Sequence, residues 1–211
     1  MTSYYEDNYR RFLPADLNAP IFDIGCGQGD FVHYLHGLGY RNITAVDIDE
    51  QAVASLQDMP GVTACRHEIG SELPPDLAGP WELIVAKQMI YYLDRRQAVA
   101  FVRSLSRSLA GDGRLLVEIF NGALLSSRFT ELKDPAILTA YTELGLKRLL
   151  EWNGLKVEEL FGAQSGGSWL YHLLRSLWFG IYRLLLILER GRDDELPRIG
   201  QKSIIAVARR G

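Results

Sequence analysis

The sequence predicts an α/β fold, in which a parallel β-sheet is covered on both faces by helices. Short apolar runs of the β type alternate along the chain with amphipathic helical stretches, and Gly or Pro marks most of the boundaries. The 211 residues suffice for one such three-layer unit, and the composition, 47% hydrophobic and 23% charged, is that of a globular protein. We therefore expect a single domain over residues 1–211.

Seven strands are predicted where apolar runs end at turn residues. Their bounds are Pro20–Ile24, Ile43–Asp47, Val62–Arg66, Leu83–Ala86, Gly113–Phe120, Lys156–Gly162 and Ser203–Ala208. The predicted helices are Asp30–Leu38, Glu50–Gln57, Asp94–Ser108, Ile137–Asn153 and Ser168–Arg190. This alternation is typical of parallel strands joined by helical crossovers.

Charge and cysteine content disfavour several classes of protein. A net charge of −3 and a pI near 5.8 provide no basic field, so we expect no nucleic-acid partner. Cys26 and Cys65 form no spaced disulfide or zinc framework, which favours a reducing compartment, and no metal site is predicted. The first eleven residues lack the basic start and apolar run of a signal peptide, so we expect a cytoplasmic protein.

The sharpest motif is a glycine loop after the first predicted strand. The segment reads Ile21-Phe22-Asp23-Ile24-Gly25-Cys26-Gly27-Gln28-Gly29-Asp30-Phe31, an apolar strand followed by alternate glycines and then a helix. Glycine permits a positive φ and lets a ligand approach the backbone, and the start of the helix offers unpaired N–H groups. The loop therefore predicts a site for a polar cofactor.

A carboxylate at the end of the second predicted strand supports this hypothesis. Val46-Asp47-Ile48-Asp49 closes that strand, and an acid at this point of such a fold commonly accepts hydrogen bonds from ribose hydroxyls. Glycine turns after strands are common, so the loop alone is a weak signal. The strand before it, the helix after it and the distal acid together indicate cofactor binding.

These residues resemble the first two motifs of the class I S-adenosylmethionine-dependent methyltransferases. Trp81-Glu-Leu-Ile-Val-Ala-Lys87-Gln88 is similar to the fourth motif of that family, and Leu109-Ala-Gly-Asp-Gly-Arg-Leu-Leu-Val117 resembles the turn into its fifth strand. The resemblance covers roughly residues 20–162, and Ser203–Arg209 is similar to the reversed last strand.

The resemblance implies a Rossmann-like three-layer sandwich with a mostly parallel sheet ordered 3-2-1-4-5-7-6, strand seven antiparallel, and S-adenosylmethionine across the carboxyl ends of strands one to four. The residues that it implies for cofactor binding are Asp23, Gly25, Cys26, Gly27, Gly29, Asp47, Ile48, Glu68, Ile69, Lys87 and Gln88. One departure is His67-Glu68, where the family more often has Gly-Asp. A nicotinamide dehydrogenase is disfavoured, because its glycine spacing is Gly-x-Gly-x-x-Gly and the chain has no Tyr-x-x-x-Lys pair.

The catalytic residue stays open at this point. Methyl transfer from a sulfonium needs alignment and exclusion of water, and only some acceptors need a general base. The candidates are Glu118, Tyr92 and His67, with Asn121 and Tyr91 near them in sequence and with Tyr4, Tyr5 and Tyr9 able to fold over the site. Each has a structural alternative, as a core aromatic, a surface residue or an ion-pair partner.

An amphipathic helical insertion is predicted at about residues 166–192, between strands six and seven. Its polar stripe includes His172, Arg175, Ser176 and Arg183, and Trp169, Leu173, Leu177, Leu184 and Leu188 lie opposite. The arginines interrupt the apolar run, so we expect no membrane span. Gly180 is a candidate break between two shorter helices. Three partners stay open for residues 168–190: the sheet, the inner face of a membrane, or a second copy in a homodimer.

The favoured function is O-methylation of a small molecule, a sugar or a lipid-linked glycan precursor. Methyltransferases with a hydrophobic late helix resemble those of bacterial cell-surface glycan pathways, and this resemblance favours a glycan acceptor. Two alternatives stay open: N- or C-methylation of another small metabolite, and a non-catalytic partner subunit that keeps the cofactor site and docks through the late helix.

Overall fold

A seven-stranded sheet with helices on both faces forms the body of the molecule. The computed structural model describes residues 2–191 and 195–211, so residue 192 of the predicted insertion lies outside the described residues. The strands are β1 (Ile21–Ile24), β2 (Ile43–Asp47), β3 (Val62–Arg66), β4 (Trp81–Lys87), β5 (Leu109–Phe120), β6 (Leu155–Gly162) and β7 (Ser203–Arg210). The helices are α1 (Thr2–Asn8), α2 (Asp30–Gly37), α3 (Glu50–Ala54), α4 (Arg95–Ser108), α5 (Leu125–Lys133), α6 (Glu143–Glu151) and α7 (Trp169–Arg190).

The strand order is β3-β2-β1-β4-β5-β7-β6. Strand β7 runs antiparallel to both of its neighbours, and the other pairs are parallel. This confirms the predicted order and the reversed last strand. The order reverses on either side of β1, between β2 and β4, which is where ligands bind in open α/β sheets.

Two apolar clusters lie on opposite faces of the sheet. Neighbouring residues of β1 alternate between them, because side chains of a strand point alternately to its two faces: Phe22 belongs to one cluster and Ile21 to the other. The first cluster includes Phe101 and Leu105 of α4, and the second includes Phe31 and Leu35 of α2. Every residue of β1 is buried, as expected for a central parallel strand.

The helices differ from the prediction in several places. Helices α1 and α5 were not predicted. The predicted helix Ile137–Asn153 begins only at Glu143, because residues 137–142 run as extended chain: the N–H groups of Leu138 and Thr139 both donate to the carbonyl of Tyr91, at 2.9 and 3.1 Å. The Thr142 hydroxyl then accepts the N–H of Gly145 at 3.1 Å and caps α6.

Helix α7 runs without interruption from Trp169 to Arg190, so the predicted break at Gly180 is wrong. Its apolar side faces outward: Trp169 is 77% exposed and Leu188 is 75% exposed, whereas Arg175 and Arg183 are half-buried. This side therefore does not cover the sheet. Within residues 2–191 and 195–211, no helix combines the length and the apolar character that a membrane crossing requires.

Candidate active site

The loop after β1 has the backbone that its glycines predict. Gly25, Gly27 and Gly29 have φ of 71°, 51° and 75°, values that residues with a Cβ rarely adopt. A Cβ on Gly29 would lie 2.5 Å from Cδ2 of Leu56, whereas a Cβ on Gly27 would have no heavy atom within 4 Å. The loop is therefore packed on its inner side and open at Gly27, where a ligand can approach the backbone.

The Asp47 carboxylate connects β2 to this loop. Its Oδ2 accepts the N–H of Gly27 at 2.7 Å, and its Oδ1 accepts the N–H of Asp49 at 3.0 Å. These bonds fix the side chain at the end of β2. Since an ionised carboxylate has about four acceptor sites, both oxygens can still accept bonds from ligand hydroxyls.

A cavity of about 560 Å³ lies beside the loop, a size within the usual range for small-molecule sites. Its lining is Gly25, Asp47, Ile48, His67, Glu68, Ile69, Gln88, Met89, Tyr92, Leu93 and Ala136. The structure thus brings together six residues predicted for cofactor binding, Gly25, Asp47, Ile48, Glu68, Ile69 and Gln88, and two catalytic candidates, His67 and Tyr92. Apolar side chains beside a carboxylate suit a flat aromatic base joined to a ribose.

Comparison with known proteins identifies the family. A methyltransferase domain family matches residues 1–160, which is more than half of the chain. The chain belongs to the class I S-adenosylmethionine-dependent methyltransferases.

Solved methyltransferase structures share the fold of this methyltransferase at low sequence identity. An S-adenosylmethionine-dependent methyltransferase from Mesorhizobium loti is 15% identical with a TM-score of 0.69, covering 98% of each chain. A TehB-like methyltransferase from Corynebacterium glutamicum is 19% identical with a TM-score of 0.63, covering 100% of this chain and 86% of its own. A putative methyltransferase from Haloferax volcanii, in complex with the Trm112 methyltransferase activator, is 13% identical with a TM-score of 0.70, covering 99% of this chain and 90% of the matched chain.

A sequence relative is the ribosomal protein L11 methyltransferase of Thiobacillus denitrificans. It is 35% identical over 79 residues, which are 36% of this chain and 26% of that protein. The match therefore spans only about a quarter of that relative's length.

Five of the residues predicted for cofactor binding do not line the cavity: Asp23, Cys26, Gly27, Gly29 and Lys87. Asp23 and Cys26 are buried, and Lys87, at the end of β4, places its Nζ 5.7 Å from the centre of the Tyr4 ring. Burial raises the pKa of Asp23 to about 7, against the lowering effect of Lys87 and with a smaller raising effect of Asp47. A buried acid poised near neutrality is typical of a functional site.

The Glu118 carboxylate is buried and accepts three hydrogen bonds. It is 3% exposed; Tyr4 donates to its Oε1 at 2.7 Å, Gln88 donates to the same oxygen at 3.0 Å, and Tyr9 donates to its Oε2. Burial, followed by the nearby Glu118 carboxylate, raises the pKa values of Tyr4 and Tyr9. The predicted N-terminal tyrosines therefore do fold toward this edge of the sheet, and their contacts tie the N-terminal segment to β5.

Tyr92 lies on the cavity wall and pairs with an acid that the sequence analysis missed. Its hydroxyl donates to Oδ2 of Asp134 at 3.1 Å, and Oδ1 of Asp134 accepts the N–H of Ala136 at 3.0 Å. Burial and then this hydrogen bond raise the pKa of Tyr92. Asn121, by contrast, donates to the carbonyls of Ile199 and Gln201 and has a structural role.

Three lining residues were missed by the sequence analysis: Met89, Leu93 and Ala136. Met89 directly follows the β4 motif and Leu93 comes four residues later, so extending that motif along the chain would have found them. Asp134 and Ala136 lie in the connection after α5, a helix absent from the prediction, and no spacing in the sequence relates them to the glycine loop.

Proposed function

We propose that this methyltransferase acts on a hydroxyl group of a small molecule, a sugar or a lipid-linked glycan precursor. The observation that carries the proposal is the hydrogen bond from Tyr92, which lines the cavity, to Asp134, whose neighbour Ala136 also lines it. A hydroxyl loses its proton on methylation, so a carboxylate within hydrogen-bond reach of the acceptor helps oxygen methylation, whereas an amine needs such a base less.

The residues around the cavity fit S-adenosylmethionine, which would supply an activated methyl group when bound. Asp47 has acceptor sites for ribose hydroxyls, and Ile48 and Ile69 provide apolar walls for adenine with Glu68 at the edge. Lys87 and, once deprotonated, Asp23 have opposite charges near the glycine loop, which would complement the carboxylate and ammonium of the methionine end. Gly25, Cys26, Gly27 and Gly29 would let the backbone approach this end, and Gln88 lies where β4 meets the cavity.

In this arrangement Asp134 accepts a hydrogen bond from the acceptor hydroxyl and takes its proton. Bound S-adenosylmethionine would supply the methyl group to the acceptor oxygen, so the products would be a methyl ether, the thioether and a protonated Asp134 carboxyl. Tyr92 and the N–H of Ala136 hold Asp134 in place. Glu118 already accepts three donors and is a positioning residue in this proposal; His67 is the second candidate base.

An acceptor panel with radiolabelled methyl donor tests the proposal. We expect label on hydroxyl compounds, and Asp134→Asn should lower kcat by about 10²–10⁴-fold while leaving the dissociation constant of S-adenosylmethionine unchanged. The matched control is Glu131→Gln, which removes an acid whose ion pair with Arg128 is at the surface. An unchanged kcat in Asp134→Asn would refute the role of Asp134, and label confined to amines or carbon acids would refute O-methylation.

The partner-subunit alternative predicts a different result. S-adenosylmethionine would bind, but no acceptor would be labelled until a second protein was added. The panel is therefore repeated with a lysate of the source cells, and turnover that depends on the lysate would favour this alternative.

We also propose that residues 1–211 act as one cytoplasmic domain. Tyr4 of the first helix bonds to β5, and β7 lies inside the sheet, so both ends of the chain belong to one body. Cys26 and Cys65 are free thiols, which is consistent with a reducing compartment.

A further inference from the structure

The outward side of α7 is an apolar surface, which we call the α7 face. Its exposed side chains are Trp169, Leu170, Tyr171, Leu173, Leu174, Leu177, Trp178, Ile181, Leu184, Leu185 and Leu188. At about 100° per residue they cover about 200° of the helix circumference. Residues 169–188 contain no Asp or Glu, and the two arginines among them lie half-buried on the other side. A helix that meets water normally has the reverse distribution.

A cavity between α5 and α7 adds positive charge beside this face. It has a volume of about 300 Å³, and we call it the α5–α7 cavity; its lining is Leu124, Leu125, Ser126, Tyr171, Arg175, Trp178, Phe179, Tyr182, Gly200 and Lys202. None of these is acidic. Among residues 2–191 and 195–211, no carboxylate lies within ion-pair distance of Arg175 or Lys202. Two cations and the Ser126 hydroxyl thus surround a space that suits an anionic group.

Helix α5 has exposed apolar residues of its own. Leu125, Phe129 and Leu132 are 65%, 73% and 78% exposed and lie on one side of the helix at spacings of four and three residues. Leu125 also lines the α5–α7 cavity, and the Tyr182 hydroxyl donates to the Ala123 carbonyl at 2.7 Å, next to the start of α5. The two helices are therefore held together around the cavity.

The width of the α7 face and the cations beside it indicate whether a partner helix or a membrane covers it. A partner helix in a coiled coil covers a narrow seam, whereas a helix half-immersed in a bilayer needs an apolar arc of about half its circumference. Trp and Tyr beside cations are typical of the lipid interface.

We propose that α7 lies in the surface of an anionic phospholipid membrane, with the α7 face among the lipid chains and a headgroup phosphate in the α5–α7 cavity. The proposal concerns where the enzyme docks and does not depend on the identity of its methyl acceptor.

Vesicle co-sedimentation of the full chain tests this proposal. We expect the protein to pellet with vesicles of phosphatidylcholine mixed with phosphatidylglycerol, and less with phosphatidylcholine alone or at high salt. Trp169→Glu and Leu177→Glu, both at exposed positions, should weaken binding at least about tenfold. The matched control is Trp152→Glu, since Trp152 is 78% exposed but lies after α6; this variant should bind like the wild type.

The cavity is tested separately with Arg175→Gln combined with Lys202→Gln. At about fivefold for each cation, the double variant should lose roughly 25-fold in affinity for the anionic vesicles and less for phosphatidylcholine alone, whose phosphate charge is offset by the choline ammonium. Equal binding of the double variant and the wild type to anionic vesicles would overturn the headgroup site. Wild-type protein that stays in the supernatant, or a dimer that Leu177→Glu dissociates, would overturn membrane docking.

Discussion

Helices α4 and α7 are both amphipathic, but they turn their apolar sides in opposite directions. Ala98, Phe101, Val102 and Leu105 of α4 are completely buried against the sheet. Asp94 fixes the start of that helix, because its carboxylate accepts the N–H groups of Arg96 and Gln97 at 2.8 Å each. In α7 seven leucines are exposed, and only Leu186 is half-buried. An apolar stripe therefore identifies a buried side of a helix only when the rest of the molecule packs against it.

The same substitution in the two helices should give very different losses of stability. Leu105→Ala removes a completely buried side chain and should lower the free energy of unfolding by about 2–5 kcal/mol. Leu177→Ala removes a side chain that is 61% exposed and should change it by no more than about 0.5 kcal/mol. Urea unfolding measures both. A large, concentration-dependent loss in Leu177→Ala would mean that another copy covers α7, and the contrast with α4 would fail.

A pair of tyrosines sharpens the contrast for polar groups. Tyr9→Phe removes one of three donors to the buried Glu118 and should cost about 1–3 kcal/mol. Tyr171→Phe, in exposed α7, should leave the unfolding free energy within about 0.5 kcal/mol. Equal losses in the two variants would contradict the idea that the N-terminal segment is held by Glu118.

The last prediction is a pH dependence of cofactor affinity that arises from the buried Asp23. Burial raises the pKa of Asp23 to about 7, so binding of a ligand ammonium must remove its proton at lower pH. Affinity for S-adenosylmethionine should therefore fall as the pH drops below 7, by at most about tenfold per unit. Titration calorimetry in buffers of different ionisation heats detects the released proton, and Asp23→Asn should abolish the release.

The raised pKa of Asp23 has the opposite effect on the stability of the free protein, which falls as the pH rises. The folded state holds the Asp23 proton more tightly than the unfolded chain does, so this group stabilises the fold at low pH. That contribution is lost as the pH rises from about 4, the ordinary value for Asp, through about 7. In the calorimetric titration with S-adenosylmethionine, proton release by Asp23→Asn equal to that of the wild type would mean that another group releases the proton.

The segment from β1 to the end of β2 could be predicted from sequence because its signals are local. The glycine loop from Gly25 to Gly29 and the acid at Asp47 are each specified by a strand end, and the structure joins them by the hydrogen bond from Gly27. The resemblance added the strand order, including the reversal of β7, which periodicity alone does not determine.

The remainder depends on contacts between distant segments. Nothing in the sequence near Tyr92 relates it to Asp134, 42 residues later, and the bonds of Tyr4 and Tyr9 to Glu118 span more than 100 residues. Helix α5 was missed because Leu125, Phe129 and Leu132 form a short stripe that lies outside the core. The outward direction of the α7 face could not be predicted from periodicity either, because an apolar stripe does not indicate whether protein, lipid or water lies against it.

The position of β7 has a consequence for how this enzyme is made. It follows every other element of the described fold along the chain, yet it lies between β5 and β6 and bonds to both. On the ribosome, one edge of β5 stays unpaired and β6 has no strand to pair with until residues 203–210 emerge. Open strand edges invite pairing with other chains, so the nascent chain should need chaperone protection between the emergence of β5 and that of β7.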